Sequence, residues 1–253
     1  PVSNVEPSTS PIVGIQIERY NVFNPKVPGE DFWPFRIANK IHFLTKEEIV
    51  RRELLLKPGD PYSALKALES ERNLRGLGFF RAAEIRQTPR PDGRTDLLVR
   101  TQDSWTTNVQ LGAGTEGGDN YVTYGASEDN LLGYGKSITA LHTQVGSRVR
   151  NEFKYFDQRF LGSRFRLTPF YVKTNRGDSV GTEIIQPFFS LETADAMGVA
   201  WERTIDESIL YRNGEEYSKF VLANRTVVAG YGVRMPVDQV FVQRLEVGWH
   251  SQR

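Results

Sequence analysis

Two different spacings of hydrophobic positions divide this chain. Near the start, in PIVGIQIERYNVF, Ile15 and Ile17 alternate with Gln16 and Glu18, and the β-branched content predicts a strand. After a passage containing Pro and Gly, Thr45-Lys46-Glu47-Glu48 fits a capping box, with the Thr45 hydroxyl serving an orphan amide and Glu48 reaching back. This predicts a helix over residues 45–55. In KPGDPYS, Gly59 follows that helix, Asp60 is placed as a new N-cap and Pro61 at the first helical position, where its missing N–H costs nothing. A second helix is predicted over 61–75, with Leu65, Leu68 and Leu74 near one face and Gly76 and Gly78 at its end. FFRAAEIRQTP and RTDLLVRTQ flank Pro91-Asp92-Gly93 and predict a hairpin. The order βααββ predicts an α+β module of about 100 residues.

From Trp105 onward the spacing changes to segments of about ten residues separated by turn chemistry, the period of a β-barrel. Val109, Leu111 and Ala113 alternate with Asn108, Gln110 and Gly112; Phe165, Leu167 and Tyr171 with Arg164, Arg166 and Thr168. Val199 and Trp201 alternate with Ala200 and Glu202, and Phe241, Leu245, Val247 and Trp249 with Val242, Arg244, Glu246 and Gly248. A soluble β-sandwich shows the same alternation. The recurrence of Arg164, Arg166, Glu202, Arg244 and Glu246 on the second face favours a polar lumen inside an apolar outer band. Tyr121, Phe160, Tyr171, Phe188 and Trp201 are candidates for interfacial girdles. The links NLLGYGK, FLGSR and LETAD read as tight and TEGGDN and DESILYRNGEEY as looser, with the tight class expected on the side of the helical module. About nine strand segments fit into the sequence, fewer than a closed single-chain barrel of even strand number would need, so only part of a barrel is expected. The expected division is residues 1–104 and 105–253.

Composition narrows the partners. Lys and Arg number 32 against 31 Asp and Glu, and this balance argues against nucleic acid. There is no cysteine, which removes disulfides, thiolate metal sites and cysteine nucleophiles together. The mean hydropathy of −0.44 agrees with the absence of any helical membrane span, but transmembrane strands escape such averages. The opening PVSNVEPSTSP lacks a Met, a basic segment and an apolar core, so an export signal is expected to be absent from it.

Candidate chemistry is sparse. NLLGYGKS ends like a phosphate loop, but Asn130 stands where the motif needs its first Gly, and the following SITALHTQV reads as a strand. His42, His142 and His250 are not at metal-site spacing, Glu128-Asp129 reads as a solvated turn, and Arg72 and Arg75 read as an exposed helix face or a carboxylate grip. No cofactor, metal or catalytic residue is expected. What remains is backbone. The strand 79–87, with Phe79, Arg81, Ala83 and Ile85, is a candidate sheet edge for β-augmentation, against the alternative of an edge protected by Arg81, Glu84 and Arg86.

The βααββ order, with IVRRELLLKPGDPYS, ESERNLRGLGFF and the exit LLVRTQDSWT, resembles a polypeptide-transport-associated (POTRA) domain. YGASEDNLLGYGKS, FKYFDQRFLGSRFRL and IQPFFSLETADAMG resemble the opening strands of the barrel in outer-membrane assembly proteins of the BamA/TamA type. The passage 21–44 departs from the pattern, being longer than the usual link, and DFWPFRIANKIHF within it suggests an extra helical turn. The resemblance implies an outer-membrane protein insertion or translocation factor with its N-terminal domain in the periplasm. Its implied partners are unfolded outer-membrane or secreted polypeptides, outer-membrane lipid, and accessory periplasmic or inner-membrane proteins. It also implies that strand 104–114, with Val109, Leu111, Gly112 and Gly114, flanks a weak seam where client strands enter. Ordinary curvature explains those two glycines as well. A dedicated two-partner-type secretion pore and a soluble β-sandwich with an α+β appendage are the alternatives.

Overall fold

The computed structural model describes residues 11–236 and 242–252. The described chain divides into two units: residues up to Thr106 together with Asp129–Gly135, and Thr107–Glu128 together with the residues from Lys136 on. A single cut in the chain does not capture this, because 129–135 returns to the first unit.

The first unit is a three-stranded sheet of β1 (Ile12–Tyr20), β2 (Phe80–Pro89) and β3 (Thr95–Asp103) in the order β1-β3-β2. β1 runs parallel to β3 and β2 antiparallel. A parallel neighbour needs a crossover, and helices supply it here: α1 (Trp33–Ile41), α2 (Glu47–Glu53) and α3 (Ala64–Arg75). β3 shows the period of two expected of a half-covered strand, with Thr95, Leu97, Val99, Thr101 and Asp103 buried in alternation. The core gathers these with Ile12, Ile49, Val50, Leu56, Leu74, Phe79 and Ile85.

The helix starts differ from those expected. Thr45 does not cap α2: its hydroxyl accepts from Asn130 Nδ2 at 2.7 Å while donating to Asp103 Oδ2 at 2.8 Å, and its amide donates to the same Oδ2 at 2.8 Å. Lys46 is the N-cap instead, without a side-chain bond. α3 begins only at Ala64, where Ser63 Oγ accepts from the Lys66 amide at 3.3 Å. Asp60 is spent in the preceding turn, accepting from the Lys57 amide at 2.9 Å, and Pro61 bridges to Pro11. Leu65 and Leu68 are exposed, while Ala67, Ser70 and Leu74, at helical spacing, form the buried face. The extra turn foreseen in 21–44 is a full helix, α1, of nine residues.

The second unit is one open antiparallel sheet. β4 (Thr107–Glu116), β5 (Asp119–Glu128), β6 (Lys136–Val145), β7 (Arg148–Asp157), β8 (Arg166–Thr174) and β9 (Gly177–Gln186) are followed by β10 (Asp195–Arg212), β11 (Glu215–Pro236) and β12 (Val242–Gln252). The nine strands lie side by side in chain order, and β4 and β12 are its two ends. Among the described residues this unit has no second sheet, which the sandwich alternative needs.

Register carries the side-chain alternation across the whole sheet. On one face Leu111 opposes Tyr124, Phe153 opposes Tyr171, and Ile184, Val199, Ala229 and Trp249 follow one another from β9 to β12. On the other, Thr123 opposes Thr143, Thr143 opposes Arg150, and Glu202 opposes Thr226. The apolar positions are open to the surroundings: Leu111 is 81 % exposed and Val247 67 %. Of the girdle candidates, Tyr171 and Trp201 lie on this apolar face. Tyr121 does not, since it shares the polar face with Gly114, whose missing Cβ would meet its ring at 2.8 Å. Phe188 also sits on the polar side, near Gly232, with the Arg244 guanidinium 4.5 Å from its ring centre. Arg164 precedes β8 and lies 4.3 Å from the Phe189 ring centre. Phe241 lies outside the described residues.

The connections reverse the expected classes. Residues 117–118, 146–147, 175–176 and 213–214 are two-residue hairpin turns, whereas 129–135, 158–165 and 187–194 are the longer links. Two of the longer links contain a short 3-10 turn with a leucine in the left-handed region, Leu132 at φ 54 and Leu161 at φ 53. Each is followed by a glycine with positive φ, Gly133 and Gly162. NLLGYGK and FLGSR read as tight because their glycines resemble turn residues, but two successive positive-φ residues make a broader bend. At the far end, β10 stays paired with β9 only as far as Asp206, opposite Gly177, and runs on with β11 to the turn at 213–214.

Leu74 is fully buried in the first unit. Leu74→Ala is expected to destabilise that unit by about 2–5 kcal/mol. The measurement is urea-dependent hydrogen exchange of β3 amides, and an unchanged profile would remove Leu74 from the core.

Candidate functional site

A strand in a sheet interior spends its amides on both sides; an edge strand spends them on one. Among the described residues the first unit has edges at β1 and β2 and the second at β4 and β12. The candidate strands 79–87 and 104–114 correspond to two of these, β2 and β4.

β2 is an edge, but not a bare one. The side chains of Phe79, Ala83 and Ile85 face the core, being 1 %, 6 % and 8 % exposed, and therefore offer nothing to a visitor. Arg81 is held by Glu30 at 3.0 Å, and Arg86 by Glu84 at 2.7 Å. The guard comes from α3, where Glu71 and Arg75 are one helical turn apart and so share a face. Glu71 Oε1 accepts from the Ile85 amide at 2.7 Å, and Arg75 Nη1 donates to the Ala83 carbonyl at 3.1 Å. Glu71 Oε2 and Arg75 Nη1 are themselves 3.3 Å apart. One acceptor and one donor thus occupy the backbone positions that a fourth strand would use. Sequence reading assigned the protection to Arg81, Glu84 and Arg86 because those charges lie on the strand itself. The Glu71 and Arg75 pattern at i and i+4 was the available signal.

Among the described strands β4 pairs with β5, from Thr107 opposite Glu128 to Glu116 opposite Asp119. Val109 and Leu111 are on its apolar face, 69 % and 81 % exposed; Gly112 and Gly114 are on its polar face, the second covered by Tyr121.

Four of the polar residues singled out in the sequence, His42, Asn130, His142 and Arg72, have structural partners. His42 Nε2 lies 2.9 Å from Asp103 Oδ2, with both side chains buried. Asn130 Nδ2 donates to Thr45 Oγ1 at 2.7 Å, and Asn130 Oδ1 accepts from the Gly135 amide at 2.7 Å. Asn130, at the place of a phosphate loop's first Gly, is thus a buried strut of the first unit, and the chain after Gly135 enters β6 rather than a helix. His142 Nδ1 is 2.7 Å from Asn151 Oδ1, its ring stacked on Tyr124. Arg72 lies 3.3 Å from Glu69.

Comparison with known proteins extends this geometry. The POTRA family, described as surface antigen variable number repeat, matches residues 41–102. A Treponema pallidum (strain Nichols) protein bearing the name of an outer membrane protein assembly factor is 32 % identical over 172 residues, 62 % of this chain and 20 % of its own. The outer membrane protein assembly factor BamA of Neisseria meningitidis serogroup B is 28 % identical over 219 residues, covering 83 % of this chain and 23 % of its own. This chain therefore spans between a fifth and a quarter of those relatives. The crystal structure of BamA from Haemophilus ducreyi lacking POTRA domains 1–3 superposes with a TM-score of 0.50 at 13 % identity, over 94 % of this chain and 48 % of that one, and so shares the fold.

Glu71→Ala removes the carboxylate on the Ile85 amide. A hydrogen bond to a charged group contributes about 1.5–3 kcal/mol, so this amide is expected to exchange with solvent about ten- to a hundredfold faster. Hydrogen exchange resolved at Ile85 reads the change, and an unaltered rate would show that the carboxylate is no guard. With an open sheet, two faces of opposite character and a POTRA module ahead of it, the chain resembles the outer-membrane assembly proteins of the BamA type, as a POTRA domain followed by part of a transmembrane β-barrel.

Proposed function

We propose that this chain is the membrane-proximal portion of an outer-membrane protein assembly factor, with its POTRA unit in the periplasm and its strands in the outer membrane. It acts by backbone hydrogen bonding, without covalent chemistry. Client β-strands arrive unfolded, are held at the β2 edge when Glu71 and Arg75 yield, and pair with β4 on entering the membrane. The observation that carries this reading is β4 itself: a strand directly following the POTRA unit whose one strand partner among the described residues is β5. In hydrocarbon an unpaired amide or carbonyl costs several kcal/mol, so an edge strand there is either closed by another part of the same barrel or used to recruit a strand. A closure that opens serves both purposes.

The test uses the full-length protein reconstituted in vesicles with a urea-denatured outer-membrane barrel as client. A photo-crosslinking residue at Val109 or Leu111 is expected to capture the client's terminal strand, and one at Tyr171, in the central strand β8, is not. Equal capture at all three positions would refute templating by β4. Capture of one dedicated exported protein, together with a standing ion conductance, would instead identify a secretion pore.

A further inference from the structure

The segment 21–44 is unaccounted for by the fold and by the proposed handling of clients, yet it holds the most apolar exposed surface of the first unit. In α1, Phe35 stacks on Phe23 with ring centres 4.1 Å apart. Asn39 grips the same loop, donating to the Phe23 carbonyl at 2.7 Å and accepting from its amide at 3.0 Å. At about 100° per residue these two positions lie on one side of the helix, and Trp33, Ile37 and Ile41 lie on the other. That second side makes no use of the core: Trp33 is 65 % exposed, Ile37 50 % and Ile41 61 %. Phe32 and Phe43 prolong it at the two ends, both more than half exposed. The charges within the helix are all basic, Arg36 and Lys40, while the preceding acids are engaged, Asp31 by Arg36 at 2.7 Å and Glu30 by Arg81 at 3.0 Å.

The far end of α1 is on a short leash. His42, its C-cap, meets Asp103, as do the amide and hydroxyl of Thr45. Asp103 ends β3, and only Ser104, Trp105 and Thr106 separate it from β4. Four residue steps reach at most about 14 Å. A short amphipathic helix with Trp and Phe on one side and basic residues at the margin, tied this closely to a membrane strand, matches the chemistry of the headgroup boundary.

We propose that α1 is an interfacial helix that seats its Trp33, Ile37 and Ile41 face, with Phe32 and Phe43, in an anionic phospholipid surface. This rests on the reading of the second unit as a membrane barrel. The helix fixes the height of the POTRA unit at the bilayer, with Lys40 at the level of the phosphates and Arg36 kept beside it by Asp31.

The chain supplies no cysteine of its own, so single cysteines carrying a nitroxide are clean reporters. They are placed in the full-length protein, with cysteine confined to the labelled position, at Ile37→Cys, at Arg94→Cys in the β2–β3 turn and at Leu111→Cys. The protein is reconstituted in phosphatidylethanolamine and phosphatidylglycerol vesicles, and collisions with oxygen and with a water-soluble nickel chelate are compared. The ratio of oxygen to nickel collisions is expected to be several-fold higher at 37 than at 94, approaching that at 111. A water-like label at 37 beside a lipid-like one at 111 overturns the inference and leaves the barrel reading standing. A water-like label at 111 overturns the barrel reading and the inference with it. Shielding of the label at 37 from both reagents means protein covers the face, a second copy or another partner, and also overturns the inference. Ile41→Cys repeats the measurement at a second exposed position should the first variant fail to fold.

Discussion

Every backbone amide and carbonyl at the side of a β-sheet needs a partner, and this requirement organises both halves of the molecule. In the first unit the demand at β2 is met locally, by a glutamate and an arginine that stand in for a neighbouring strand. In the second unit the demand at β4 and β12 is not met by any strand among the described residues, since the sheet stops there. Water can relieve a sheet edge when its guard is removed, whereas hydrocarbon offers no such relief. The two settings thus differ in what it costs to leave an edge open.

The first unit has a second organising point, the carboxylate of Asp103. Three donors or partners converge on its Oδ2: His42 Nε2, the Thr45 amide and the Thr45 hydroxyl. The Thr45 hydroxyl in turn receives Asn130, so one buried acid fixes the end of α1, the entry to α2 and the segment 129–135. All three meet Oδ2, while Oδ1 is buried without a hydrogen bond, so the burial of this acid rests on few contacts and the node is intolerant of losing any one of them. The same carboxylate explains why α2 starts late: a threonine with both its groups committed elsewhere has nothing left for a helix end.

Much of this was legible in the sequence because the strands largely obey a period of two, interrupted by register shifts such as the one at Leu210 and Tyr211. Val109, Leu111 and Ala113 on one side, and Arg244 and Glu246 on the other, land where alternation puts them. The POTRA hairpin followed from Pro91-Asp92-Gly93, and the nine described strands of the second unit from the turn spacing. What failed were inferences that depend on long-range partners. Thr45 and Asp60 look like helix caps until Asp103 and the Lys57 amide claim them. Tyr121 looks like an interfacial aromatic until register puts it over a glycine. The guard of β2 was missed because Glu71 and Arg75 are remote in sequence from the strand they cover. No local pattern marks the 3-10 bends at Leu132 and Leu161, where a bulky residue accepts an unfavourable conformation beside a glycine.

The unequal strand lengths have a consequence of their own. Because β10 continues past its last pairing with β9 at Asp206, the hairpin it forms with β11 overshoots the neighbouring turn at 175–176 by about 20 Å of extended chain. The rim of the sheet on that side is stepped rather than level. A molecule approaching from beyond it meets the tip at Asn213 and Gly214, flanked by Tyr211 and Tyr217, well before it reaches the neighbouring turn at 175–176.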